Sequence, residues 1–245
     1  MHSADLLLAA SLMLGAALYS SVGHGGASAY LALMSLFGVP PTVMRPTALA
    51  LNLLVAGIGS ARYVAAGQFR WRTLWPFLIG ALPTAVLGGA LRLPDQVYKP
   101  LVGAVLLISA ARMLWRRPLE AAERARDVPI GMGILAGAGI GLLAGLTGTG
   151  GGIFLSPLLL VFGWSTPRQA SGIAALFIVC NSAAGLLGNL SIIQSLPPQL
   201  PVYAGAVAVG GVFGTFLGAR LNSATLVRIL SVVLAIAGVK LILGA

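Results

Sequence analysis

Residues 21–26 read SVGHGG, and residues 146–152 read LTGTGGG. Each cluster falls inside an apolar run long enough to cross a bilayer. A membrane helix gains no stability from crowded glycines, since each costs about 1 kcal/mol relative to alanine. Two such breaks at equivalent places are therefore one feature of the fold. Working outward from them, hydrophobic runs separated by turn or charge signals fall at 5–37, 43–62, 72–91, 97–115, 129–163, 168–189, 199–220 and 224–243. A spanning helix needs about 20 apolar residues. The first and fifth runs are too long for one span, and these two carry the glycine clusters.

Composition points the same way. Of 245 residues, 58% are hydrophobic and 8% charged, with mean hydropathy +0.97. A soluble domain carries about 25% charged residues. The shortage extends along nearly the whole chain, which predicts an all-α, polytopic membrane protein with lipid as its surroundings. The formal net charge of +10 is spread between the spans. It forms neither the basic stripe nor the aromatic platform of a nucleic-acid binder, so no nucleic-acid partner is expected and the charge is read as topology. The single cysteine, Cys180, sits in an apolar run and is expected to pack as a buried thiol. The N-terminal stretch MHSADLLLAASLMLGAALYSS lacks a positive n-region, and its apolar run continues past any cleavage point, so it is expected to remain part of the fold.

The polar stretch RRPLEAAERARD (116–127) divides the chain into halves, 1–115 and 129–245, joined by a linker over 116–128. An offset of 125 sets Gly23, Gly25 and Gly26 on Gly148, Gly150 and Gly151, and Phe37-Gly38 on Phe162-Gly163. It also puts Thr47 beside Ser171-Gly172, and an offset of 128 aligns Leu91-Arg92-Leu93 with Ala219-Arg220-Leu221. A nearly constant offset over two turn motifs and a helix-end arginine indicates duplication.

Lysines and arginines then distinguish two topologies. If each long run is one broken helix, the halves are parallel and nine of the fifteen Lys and Arg lie on the linker's side. If each long run turns back at its glycines, each half has a hairpin plus three full crossings and the second half is inverted. Arg168, Arg220 and Arg228 then join the linker's side and Lys240 leaves it, giving eleven against four. The uncharged loop LSIIQSLPPQLP (190–201) falls opposite. The positive-inside rule favours inverted repeats with a cytoplasmic linker.

Irregular backbone at membrane depth is tolerated only where protein buries it or a watery cavity receives it. Paired glycine-interrupted segments in two halves point to a transporter's binding site. Such a break presents N–H groups at a new helix start, where the dipole favours an anion. Gly25, Gly26, Gly150, Gly151 and Gly152 are candidate donors, with Ser20, Ser21, Thr147 and Thr149 as hydroxyl neighbours. The scattered glycines of 131–145 and 210–218 are read instead as helix-packing residues. His24 is the one ionisable residue inside a cluster, either a proton carrier or a neutral histidine bonded to a carbonyl. The acids Asp5, Asp95, Glu120, Glu123 and Asp127 all lie away from mid-span. On the helices that follow, Arg45, Thr47 and Asn52 in the first half and Ser171, Asn181 and Ser182 in the second add polar groups. Pro46 is expected in a first helical turn. Arg45 either lines the outer mouth or snorkels to headgroups, and Asn52 and Asn181 either line a site or glue helices. Trp71, Trp75, Trp115 and Trp164 are expected to anchor at the interfaces.

The segment GTGGGIFLSPLL (148–159) and its degenerate copy GHGGASAYLALM (23–34) resemble the TauE/SafE family of sulfite and organosulfonate exporters. So do GGVFGTFLGARL (210–221) and the helix ATLVRILSVVLAIAGVKLIL that follows it. The resemblance covers essentially the whole chain. It implies a bacterial inner-membrane permease that moves small sulfur-containing anions without an enzymatic step. His24 and Ala27 depart from the regular pattern, and Arg45 has no equivalent in the second half.

The expectation is a permease whose small anionic substrate binds at midplane among Ser21, His24, Gly25, Gly26, Arg45, Thr47, Asn52, Thr147, Thr149, Gly150, Gly151, Gly152, Asn181 and Ser182. No metal or cofactor is expected, and a homodimer is left open. A membrane enzyme would need a nucleophile with its base, or a metal cluster. A non-transporting accessory protein and a permease for another small solute are the alternatives.

Overall fold

The computed structural model describes residues 3–21, 25–114, 126–188, 196–217 and 223–244. Among the described residues each half contributes five helices. The first has α1 (Ser3–Ser21), the short α2 (Ala27–Leu36), α3 (Pro41–Ala65), α4 (Trp71–Ala90) and α5 (Asp95–Leu114). The second repeats the series as α6 (Ile130–Thr147), the short α7 (Gly152–Val161), α8 (Pro167–Leu187), α9 (Leu200–Leu217) and α10 (Ser223–Leu243). The glycine clusters separate α1 from α2 and α6 from α7, where the sequence placed its breaks. No strand occurs among the described residues, and five helices are long and apolar enough to cross a membrane. Large apolar side chains such as Leu7, Leu14, Ile79, Leu135 and Phe213 face outward. In water that surface would be untenable; in lipid it is the solvated face.

Local chemistry sets the helix starts. Pro41 occupies the first turn of α3 behind Pro40, so Pro46 lies inside the helix rather than at its start. A proline tolerates the first turn because its missing N–H is unpaired there anyway; at Pro46 the helix instead forgoes an internal bond. Thr166 and Gln169 form a reciprocal capping box that starts α8.

Both short arms turn back. Gly15 of α1 faces Ala29 and Leu33 of α2, so α2 returns along α1. In the second half the Arg126 amide donates to the Gly163 carbonyl at 2.9 Å, which brings the end of α7 beside the start of α6. Arg70 and Asp127 pair at 3.6 Å at that same end of the bundle. The opposite end collects Lys240, which donates to the Ser35 and Leu36 carbonyls at 2.9 and 3.0 Å, and Lys99, which donates to Gly244 at 3.0 Å.

Helix packing crosses between the halves. The glycines Gly133, Gly137, Gly141 and Gly145 repeat every fourth residue; Gly133 meets the Pro76 ring, and the other three lie on the backbone of α4 at Phe77, Ala81 and Ala85. This is small-residue packing, which lets two helices approach closely where lipid offers no hydrophobic drive between them. Thr84 adds a bond to the Ala138 carbonyl at 2.8 Å. Gly210 and Gly214 of α9 repeat the arrangement against Met13 and Ala17 of α1. In both pairs residue numbers rise together, so the helices run parallel. By contrast α3 and α8 run antiparallel, with Gly185 against Leu49 and Gly172 against Tyr63. So do α5 and α10, where Gly103 and Leu107 both meet Gly238 and Lys99 meets Gly244.

Two apolar cores result. One joins α1, α2, α3 and α5 to α9 and α10; the other joins α4, α6, α7 and α8. Trp164 belongs to the second core, only 4% exposed, stacked on Phe162 at 4.7 Å and tilted against Phe77. It is therefore not the interface anchor expected of it, because the turn after α7 is covered by α4. Trp71 is exposed, as an anchor must be, and Trp115 lies outside the described residues. Cys180 is half-buried beside the second core.

Candidate functional site

The two glycine breaks meet where α3 crosses α8. Asn52 of α3 is fully buried and lies against both. A Cβ built on Gly25 would stand 3.2 Å from Asn52 Oδ1, and one on Gly150 would collide with Asn52 Nδ2. From α8, Ser182 Oγ would stand 3.2 Å from that same Gly150 Cβ, and Asn181 Nδ2 would stand 3.3 Å from one on Gly151. Asn181 Nδ2 donates to the Gly150 carbonyl at 3.3 Å. Asn181 and Ser182 are both fully buried.

Close approach requires glycine on the second break. Gly148, Gly150 and Gly151 take φ of 86°, 73° and 82°, left-handed values that strain any residue with a Cβ. Gly26, the counterpart of Gly151, caps α2 at φ −86° and is covered by the ring of Tyr30. The two breaks are thus alike in place and different in backbone. The N-cap residues of α2 and α7, Gly26 and Gly151, have no side chain to cap their helices, and no side-chain cap is made there among the described residues.

The buried polar groups here are short of partners. Both amide atoms of Asn52, Asn181 Oδ1, Ser182 Oγ and Thr47 Oγ1 have no hydrogen-bond partner among the described residues. An unpaired buried polar group costs about 1–3 kcal/mol, so a cluster of them at one crossing calls for a partner. The threonines differ. Thr147 Oγ1 donates to the Leu143 carbonyl at 2.7 Å and lies 3.0 Å from Thr149 Oγ1. Since the Thr147 proton is already committed, Thr149 supplies the second bond, and the pair holds the turn instead of offering free donors.

Arg45 neither snorkels nor opens onto lipid. It is 5% exposed and donates to the Leu91, Gly88 and Gly89 carbonyls at 2.8, 2.6 and 2.5 Å, closing the C-terminal end of α4. Its own backbone supports Gly148. Gly152 rests on Ile178. His24, with Val22 and Gly23, lies outside the described residues, as does the side chain of Ser21.

Sequence reasoning missed Ile178, which is buried and touches Gly25, Gly150 and Gly152. Its signal was available: it stands three and four residues before Asn181 and Ser182, on the same helix face.

A family profile described as sulfite exporter TauE/SafE matches residues 7–241. The chain belongs to the TauE/SafE family. Among curated proteins it is similar to "Probable membrane transporter protein y4hK" of Sinorhizobium fredii (strain NBRC 101917 / NGR234), with 41% identity over 239 residues, 96% of this chain and 97% of that one. No solved structure matches it. The family is one of membrane transporters, and this TauE/SafE chain has the multi-pass helical body that transport requires.

Proposed function

We propose that this TauE/SafE protein is a permease for a small sulfur-containing anion, sulfite or an organosulfonate, held between the two glycine breaks and moved without chemical change. The observation that carries the reading is Asn52, fully buried, touching both breaks with an amide that no described residue satisfies. Asn52 and Ser182 offer donors, with Thr47 on α3 as a further hydroxyl. The uncapped starts of α2 and α7 add helix N-termini, which favour negative charge. Gly25, Gly26, Gly151 and Gly152 serve close approach of the backbone, and Thr147 and Thr149 hold the turn.

The antiparallel pairing of α3 with α8 and of α5 with α10 supports inverted repeats over 1–115 and 129–245. Arg62, Arg70, Arg72, Arg112, Arg126, Arg168 and Arg228 fall toward the linker's end of the bundle, and Arg45, Arg92, Lys99 and Lys240 toward the other. That bias supports a cytoplasmic 116–127 loop in the inner membrane.

The test is flux of labelled sulfite, sulfate and a small sulfonate in proteoliposomes, with and without a pH gradient. Saturable flux of one anion, raised by the gradient and altered in His24→Gln, is expected. Gradient-independent flux would retain the permease and remove the coupling role of His24. No flux of any anion from folded protein would favour another solute or an accessory role.

A further inference from the structure

A cavity with charged residues in its lining lies at the end of the bundle away from the linker. It has a volume of about 150 Å³ and is lined by Pro41, Thr42, Arg45, Arg92, Leu93, Asp95 and Tyr98. The charged residues of its lining are Arg45, Arg92 and Asp95. Asp95 stands in the first turn of α5, where the helix dipole offsets part of its charge, so the wall is net positive. Arg45 Nε is buried and has no partner among the described residues, although the rest of that guanidinium is bonded.

The wall of this cavity is also the support of the second break. Tyr98 Oη donates to the Thr147 carbonyl at 3.1 Å. A Cβ built on Gly148 would stand 3.1 Å from the Arg45 carbonyl and 3.2 Å from its Cγ. Arg45 and Asn52 are seven residues apart on α3, hence on one face and about 10 Å apart along the axis. The order from outside inward is cavity, Arg45 and Tyr98, the Thr147–Gly148 turn, then Asn52. The offset of 125 that relates the halves puts Ala170 in the place of Arg45, so the arrangement is one-sided.

From this geometry we infer that the Arg45–Arg92–Tyr98 cavity is an antechamber that collects a small oxyanion before it passes the second glycine turn to Asn52. The inference rests on the transport reading and adds a separate loading site to it. A guanidinium-lined cleft raises the local concentration of an anion and acts on capture more than on the later step.

The test is the concentration dependence of labelled sulfite and sulfate flux in proteoliposomes for Arg92→Gln, Arg92→Lys and Thr42→Phe, each checked for an unaltered melting transition. Arg92→Gln is expected to raise KM about five-fold, Arg92→Lys to restore most of it, and Thr42→Phe, which fills the cavity without changing charge, to raise KM as Arg92→Gln does. In Asn52→Leu the loss should fall on the maximal rate instead. Saturable wild-type flux with KM unmoved in both Arg92→Gln and Thr42→Phe overturns the antechamber alone. Absence of saturable flux in the wild type overturns the transport reading and the antechamber with it.

Discussion

Asn52 and Gly150 are in contact across the two halves, and no side chain fits between them: a Cβ at Gly150 would overlap the Asn52 amide. The residue that lines the first half's main helix is thereby seated on the second half's break.

Gly150→Ala should abolish flux. The new methyl meets Asn52 and the backbone is held at φ 73°, a left-handed conformation that costs a non-glycine residue about 1–2 kcal/mol. Gly38→Ala is the matched comparison, because Gly38 has φ 75° with open space around its Cβ position. It should lower the melting temperature by a similar strain and leave flux near wild type. Equal loss of flux in both would mean that strain alone, not the Asn52 contact, explains the first.

Asn52→Leu separates a ligand group from helix glue by the sign of its effect on stability. If the amide held helices together, its loss would destabilise the protein. With no partner among the described residues, its replacement by an apolar group of like volume should be neutral or stabilising. Thermal melting in detergent should therefore hold or rise while flux falls at least ten-fold, a change of about 1.4 kcal/mol in barrier.

Arg45→Lys should destabilise by about 1.5–3 kcal/mol, because an ammonium cannot reproduce a planar fork spread over three carbonyls. A melting transition indistinguishable from wild type would show that the cap on α4 carries no weight.

Trp164→Ala should cost about 3–5 kcal/mol as a large deletion from a packed core, whereas Trp71→Ala, at 57% exposure, should cost far less. Comparison of the two melting curves decides between core and interface roles for these indoles.

The fold was legible because its signals are collective. Helix limits follow from run length, and both breaks follow from glycine crowding at a repeated offset. Most of the scattered glycines pack as read, since a four-residue spacing such as Gly133 to Gly145 presents one smooth face, whereas Gly131 and Gly139 meet open space. Single residues were harder. Trp164 and Arg45 have sequence surroundings that fit an interface; only the long-range neighbours Phe77 and Leu91 turn one into core and the other into a cap. Ile178 carries no chemistry of its own, so no motif singles it out. The bonding of Thr147 and Thr149 is not legible in the sequence, because a hydroxyl's freedom depends on where its one proton goes.

The exchange of helices between the halves has a cost in time. Met13 of α1 packs on Gly210 of α9, so α1 waits for a helix synthesised far later. At about 5–20 residues per second, the chain between positions 13 and 210 takes on the order of 10–40 s to appear. Through that interval the α1 surface that meets Gly210 and Gly214 lacks its partner, and neither half can complete its packing alone. A chain cut within the 116–127 loop should accordingly accumulate only when both fragments are made in the same cell.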